Sequence, residues 1–325
     1  MNTHDAEKAW FHNLGNGTHQ APPTTAPAKE AQETTTQAEE KKGRGFDDIA
    51  GMNELKQMVI EGFINVLRHP ECAEVYGIKP PSMLFYGPAG CGKTFFAEKM
   101  AEELGIHFMK IVPDDLACTW VHGTQQKIGE VFRKAEKKAP TLLFFDEFDA
   151  MVPRRTGDEN NQHYDNEVNE FLCMLNNSSE RGIYVLAATN HPERIDKAVL
   201  RTGRIDELVY IDMPDVEARR SLFSLSLKKL PTEEHIDLQH LAEITEGYNC
   251  SDISYIVKTA ARKMFNASIR QPDKPYEQIT QQLLEDIIAQ RNPSISPRDL
   301  REYERVRKDL SPKDPQNRPT SIGFH

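Results

Sequence analysis

The run Gly87-Pro88-Ala89-Gly90-Cys91-Gly92-Lys93-Thr94 carries the densest chemistry in this sequence. It fits G-x-x-x-x-G-K-[ST] in full, a pattern whose glycines let several backbone N–H groups point at one anion beside a helix N-terminus. Lys93 would add a point charge to the β- and γ-phosphates, and Thr94 would offer its hydroxyl to Mg²⁺. Cys91 lies inside this loop near a helix start, an arrangement that lowers a thiol pKa. Oxidation or alkylation of Cys91 is therefore expected to block the site.

Three further groups could act on a bound phosphate chain. Leu142-Leu143-Phe144-Phe145 runs into Asp146 and Glu147. Asp146 is placed to hold hydrated Mg²⁺, and Glu147 to accept the proton of an attacking water. Val185 to Thr189 is a second apolar run, ending at Asn190, which could orient that water. Arg201 and Arg204 flank Gly203, and a planar guanidinium suits an equatorial phosphate oxygen when delivered by a neighbouring subunit.

These residues need a scaffold. Met83–Tyr86 is an apolar strand before the phosphate loop, and Phe95 to Leu104 is a helix after it. Strands are expected at 82–87, 107–112, 141–147, 183–190 and 207–212, with a helix at 53–67 before them and helices at 124–138 and 165–175 between them. His69-Pro70 is expected to stop the helix that precedes the first strand. Strands that alternate with helices imply a five-stranded, mostly parallel α/β sheet with helices on both faces, whose ligands bind beyond the strand carboxyl ends. After Pro214 the spacing is helical only, at 215–227, 238–245, 251–265 and 279–289, which implies a small all-α lid domain. Asn249 and Asp252 stand close to a capping box at the start of the third of these. The expected division is 1–44 as a disordered arm or linker, 45–213 as the α/β domain, 214–292 as the lid, and 293–325 as a charged helix and disordered tail.

Bulk properties narrow the class. The chain has 325 residues, a formal net charge of −10 and 5 cysteines. The acidic balance argues against a broad nucleic-acid-binding face. The cysteines are scattered and never spaced C-x-x-C, so a reducing, cytoplasmic setting is expected, and no run suggests a membrane span. In the arm, Trp10, Phe11 and Leu14 could share a helix face that docks an adaptor.

Together, and in this order, these elements resemble the AAA ATPase family, from Phe46 to about Leu310. The resemblance implies a P-loop NTPase (AAA+) fold, ATP and Mg²⁺ as cofactors, and an ATP-promoted homo-hexamer with ATP at each subunit interface. Phe46-Asp47-Asp48-Ile49-Ala50-Gly51 is similar to the family's opening motif, which implies adenine contacts at Asp48, Ile49 and Ala50. Gly87–Thr94, with Phe95 beside it, resembles Walker A, and Leu142–Glu147 resembles Walker B. Asn190 falls at sensor 1, and Arg201 and Arg204 at the arginine-finger positions. Gly247-Tyr248-Asn249-Cys250-Ser251-Asp252-Ile253 is similar to the lid motif, which places Cys250 and Ser251 near adenine and ribose. Cys250 stands where that motif usually has glycine, which could crowd the base.

Trp120 and Val121 fall at the family's pore loop, which grips an extended polypeptide, although His122-Gly123-Thr124 replaces the usual Gly-Glu-Ser. Asn292–Leu300, followed by Tyr303-Glu304, resembles the C-terminal helix of the katanin–spastin–fidgetin (meiotic) branch, and the resemblance is compatible with a stand-alone prokaryotic member. The first 44 residues are too short and polar for a microtubule-interacting bundle, so a microtubule substrate is not implied. The expected activity is ATP-driven remodelling of a threaded protein. The alternative, a motor or loader on nucleic acid, is disfavoured by a pore candidate without basic residues.

Overall fold

The computed structural model describes residues 44–116, 123–154, 162–201, 203–270 and 275–310. The arm, the pore residues Trp120 and Val121, and the tail after Leu310 lie outside the described residues.

Helix α1 (Asn53–Val59) passes through a π turn at Ile60–Ile64 into α2 (Asn65–Arg68). His69-Pro70 interrupts the helix but does not end the helical path. Pro70 becomes the first residue of α3 (Pro70–Val75), where its missing N–H costs no hydrogen bond. The sheet region then runs β1 (Met83–Tyr86), α4 (Lys93–Leu104), β2 (His107–Ile111), α5 (Pro113–Leu116), α6 (Gly123–Lys137), β3 (Thr141–Phe145), α7 (Phe148–Met151), α8 (Gln162–Leu175), β4 (Ile183–Thr189) and β5 (Glu207–Tyr210). Strands end one or two residues earlier than the sequence suggests, because Val112, Asp146, Glu147 and Asn190 already belong to the turns beyond them.

All five strands are parallel, in the order β2-β3-β4-β1-β5. Side chains alternate between two apolar layers. On β3, Leu143 and Phe145 pack on one side with Phe132, Phe148 and Phe171. Leu142 and Phe144 pack on the other with Phe63, Phe85 and Phe96. A strand covered on both faces reads as a continuous apolar run, and Leu142–Phe145 is fully buried for that reason. The strand order matters more for function. Strands β3, β4 and β1 are neighbours, so the loops that leave their carboxyl ends meet at one edge.

Beyond Met213 the chain is helical: α9 (Val216–Leu227), α10 (Leu238–Ile244), α11 (Cys250–Ser268), α12 (Gln281–Ala289) and α13 (Pro297–Leu310). A third apolar cluster, including Phe223, Leu241, Ile256 and Ile287, is drawn wholly from α9 to α12 and the turns between them. Helix α9 is capped by Asp215, α10 by Asp237 and α12 by Thr280. Helix α11 has the full capping box, with Asn249 and Asp252 each accepting from the other's backbone N–H. Among the described residues, no helix is long and apolar enough to cross a membrane.

Candidate functional site

The loop between β1 and α4 is built for close approach. Gly87 has φ +141°, and a Cβ there would lie 2.2 Å from the Ile211 carbonyl oxygen. Gly90 has φ +73°, and its Cβ would meet the Asn249 amide at 2.6 Å. Only glycine satisfies both demands. Helix α4 begins at Lys93, so Thr94 and Phe95 stand in its first turn. Backbone N–H groups left without helical partners there attract an anion.

Lys93 is buried, and its Nζ donates to the carbonyls of Gly87 and Pro88, both at 2.8 Å. Burial lowers its pKa to about 8, against the pull of nearby Asp146. An ammonium held among carbonyls at the mouth of an N–H nest is a fitting partner for a phosphate chain.

From β3 comes Asp146. Its Oδ2 accepts the Thr94 hydroxyl at 3.0 Å, and its Oδ1 accepts the Glu147 N–H at 3.1 Å. A hydroxyl and a carboxylate facing each other are hard oxygen donors, the set that suits Mg²⁺, so the residues fit the ion that the motif implies. Glu147 is exposed and adopts φ +53°, a left-handed conformation that a non-glycine residue enters at a cost of about 1–2 kcal/mol. Such strain gathers where function fixes a side chain. Asn190 follows β4 directly and is half-buried. Next to it, the Thr189 hydroxyl donates to Asp149 Oδ1 at 2.5 Å and accepts the His191 N–H at 2.8 Å. This tie between β4 and α7 pins the turns that bear Asn190 and Glu147 to each other.

Arg201 and Arg204 lie apart from this group, in the turn before β5. Arg204 Nη1 donates to its own loop's Ala198 carbonyl at 2.7 Å, while Arg201 is exposed. Among the described residues, no hydrogen bond or ion pair joins either to the phosphate loop.

On the other flank, a cavity of about 620 Å³ opens between the opening segment, the phosphate loop and the lid. Asp48, Ile49, Ala50, Gly90, Gly92, Phe95, Cys250 and Ser251 line it, joined by Leu222, Leu225 and Tyr255. That volume lies in the range of sites for small organic ligands, and its mixed apolar and polar wall suits a base and a sugar. The lid is stitched directly to the phosphate loop. Ser251 N–H donates to the Gly90 carbonyl at 3.1 Å, and the Asn249 amide donates to the Ala89 carbonyl at 3.1 Å. Cys250, between them, is half-buried, and burial pushes its thiol up to about 11.

Cys91 corrects the sequence reading. Its side chain is fully buried, with Sγ 3.5 Å from the Met213 sulfur, and burial pushes the thiol up to about 12. The helix N-terminus does not activate it, because desolvation of the thiolate outweighs that partial charge. The expectation of a reactive, easily oxidised Cys91 is withdrawn.

Sequence reasoning missed two contributors. Thr189 and Asp149 form a contact across sequence that no motif announces. Lys110, near the end of β2, places Nζ 2.8 Å from Asp146 Oδ2. Its only signal was a charge near the end of an amphipathic strand.

Comparison with known proteins agrees with this geometry. The family model described as "ATPase family associated with various cellular activities (AAA)" matches residues 83–213, from β1 to just past β5. The chain is also similar to a Cell division cycle protein 48 homolog of Archaeoglobus fulgidus, at 33% identity over 276 residues. That match covers 82% of this chain and 38% of the relative, so the chain spans well under half of the relative's length.

Proposed function

We propose, from the AAA ATPase domain that this chain carries across residues 83–213, a ring-forming machine that uses ATP hydrolysis to remodel protein substrates. The domain is that of an ATP-hydrolysing enzyme. The observation that carries the reading is the 3.0 Å contact between Thr94 and Asp146, which joins the phosphate loop to the acidic end of β3.

The roles follow from position. The N–H groups of the Gly87–Thr94 loop and the Lys93 ammonium would hold the β- and γ-phosphates, while the cavity by Asp48–Ala50, Phe95, Cys250 and Ser251 would take adenine and ribose. Thr94 and Asp146 would hold Mg²⁺, which when bound offsets the charge of the phosphate oxygens. Glu147, exposed at the end of β3, accepts a proton from the attacking water, and Asn190 orients that water. Arg201 is exposed, which supports its use as a finger on a neighbour in a homo-hexamer, with Arg204, held to the Ala198 carbonyl, bracing the turn. Such a finger contributes about 10³–10⁵ in rate where it has been measured. The α/β and lid division at 213/214 is supported by the separate apolar cluster of α9–α12.

Protein rather than nucleic acid is the proposed substrate. The net charge of −10 and the aromatic Trp120 with Val121 in the proposed pore loop support a polypeptide grip. The katanin–spastin–fidgetin branch is supported by the charged helix α13, and the N-terminal arm with Trp10 and Phe11 is the proposed adaptor contact. The test is a Glu147→Gln variant. It should bind ATP, hydrolyse it at least about 100-fold more slowly, and retain an unfolded polypeptide. Wild-type turnover in that variant would overturn the catalytic assignment. Steeply salt-dependent single-stranded DNA binding that stimulates hydrolysis would overturn the choice of substrate.

A further inference from the structure

Motif matching leaves one charge at the metal-binding end of the site without a role. Lys110 Nζ lies 2.8 Å from Oδ2 of Asp146, the same oxygen that accepts the Thr94 hydroxyl. The backbone enforces this meeting. Strands β2 and β3 run parallel with Lys110 opposite Phe144, and the Asp146 N–H donates to the Ile111 carbonyl at 2.9 Å. An exposed ion pair normally contributes little to stability, and the Lys110 side chain is 38% exposed. Its place, not its strength, is informative.

We propose that Lys110 is a built-in competitor of the divalent cation, setting how strongly nucleotide binding depends on Mg²⁺. The inference rests on the reading of Thr94 and Asp146 as the groups that hold Mg²⁺. An ammonium and a hydrated dication would then compete for one carboxylate, that of Asp146. Either Lys110 swings its flexible stem to solvent and gives up its pair, or it stays and repels the ion. Both routes weaken the bound cation, by about tenfold even at water-like screening. Without the cation, the same ammonium has the opposite effect. It neutralises Asp146 and removes a repulsion that would otherwise meet a metal-free, highly anionic nucleotide. Lys110 therefore narrows the gap between nucleotide with Mg²⁺ and nucleotide without it.

The experiment measures the affinity of the full chain for a fluorescent ADP, in excess chelator and across a Mg²⁺ titration. The ratio of the two dissociation constants is the quantity of interest. In Lys110→Met it should rise about tenfold, with weaker binding in chelator and a lower half-saturating Mg²⁺ concentration. Lys110→Gln, an independent neutral replacement in case the first folds poorly, should behave alike, and Lys110→Arg should stay within about threefold of wild type. An unchanged or smaller ratio in both neutral variants overturns the inference and leaves the ATPase reading intact. If the wild-type chain binds no nucleotide under either condition, the functional reading falls and takes this inference with it.

Discussion

Replacing Asp252 with Asn should loosen the lid from the phosphate loop, because Asp252 gathers more polar contacts than any motif residue of the lid. Its side chain is 1% exposed. It accepts from Arg291 Nη2 at 2.7 Å, from the Ser294 N–H at 3.1 Å, from the Ser294 hydroxyl, and from the Asn249 N–H at 3.3 Å. The last bond closes the capping box of α11, whose first turn holds Ala89 and Gly90. Asn keeps the shape but loses the charge and turns an NH₂ toward groups that also donate. Losing one partner of a buried pair costs about 3–5 kcal/mol. Arg291 is 29% exposed and stacks on Tyr255 at 4.2 Å, so water can reach it and the low end applies. A loss of about 3 kcal/mol corresponds to a fall in melting temperature of roughly 6–12 °C for a domain of this size.

The pH dependence of that loss is fixed in sign. Burial alone pushes the Asp252 carboxyl up, but hydrogen bonds from Ser294, Arg291 and Asn249 outweigh it and hold the pKa below its ordinary 3.8. Such a group stabilises the fold fully above its unfolded pKa and loses that contribution as pH falls through the folded value. The gap between wild type and variant in urea unfolding should thus be constant from neutral pH to about pH 4 and close below it. With Arg291→Met and the double variant, a thermodynamic cycle should return a coupling of about 1.5–3 kcal/mol. Additive effects, or a melting shift under about 2 °C at neutral pH, would refute the reasoning.

Other outcomes follow from the same packing. Gly90→Ala places a Cβ 2.6 Å from the Asn249 amide at φ +73°, so it should cost about 2 kcal/mol in urea unfolding and at least tenfold in nucleotide affinity by fluorescence titration; wild-type affinity would show that the loop can shift without harm. Cys91, with its thiol pushed up to about 12, should resist iodoacetamide at pH 8 in the folded chain, while the exposed Cys72 and Cys173 are labelled. Peptide mapping by mass spectrometry reads this directly, and early labelling of Cys91 would mean that the loop opens far more readily than its packing indicates.

The parts legible in the sequence were those written locally. Gly87–Thr94 needs special backbone geometry at fixed spacing, and Leu142–Phe145 needs apolar cover on both faces, so each leaves its mark in a few consecutive residues. Contacts that depend on which strands are neighbours leave none. Lys110 reads as one more charge in an amphipathic strand until β2 is laid beside β3. Thr189 and Asp149 read as ordinary polar ends until β4 is laid beside β3. Cys91 was misread for a related reason: a helix N-terminus is a local feature, whereas the burial that overrides it comes from Met213 and the chain around it. At His69-Pro70, the rule that a proline stops a helix held for one turn only, because the same proline suits the first position of α3.

The two arginines before β5 differ in their surroundings. They share a turn and a resemblance, and sequence alone gives them equal standing. The structure separates them. Arg204 donates to Ala198 and lies half-buried, and its loop is further fixed by the Gly203 N–H, which donates to Asp206 at 2.8 Å. A guanidinium committed to its own backbone must break that bond before it can reach a phosphate elsewhere, whereas the exposed Arg201 need not. Arg201 therefore suits transition-state contact across an interface, and Arg204 suits keeping the turn that aims it. If so, Arg201→Ala should abolish hydrolysis while leaving nucleotide affinity and melting temperature unchanged. Arg204→Ala should lower both hydrolysis and stability, the latter by about 1–2 kcal/mol for a lost charge-assisted bond that water can partly replace. Mixing Arg201→Ala chains with Glu147→Gln chains, each inactive alone, should restore hydrolysis at interfaces where an intact Arg201 faces an intact Glu147. No recovery at any mixing ratio would place both groups in one subunit's chemistry and remove the case for a shared site.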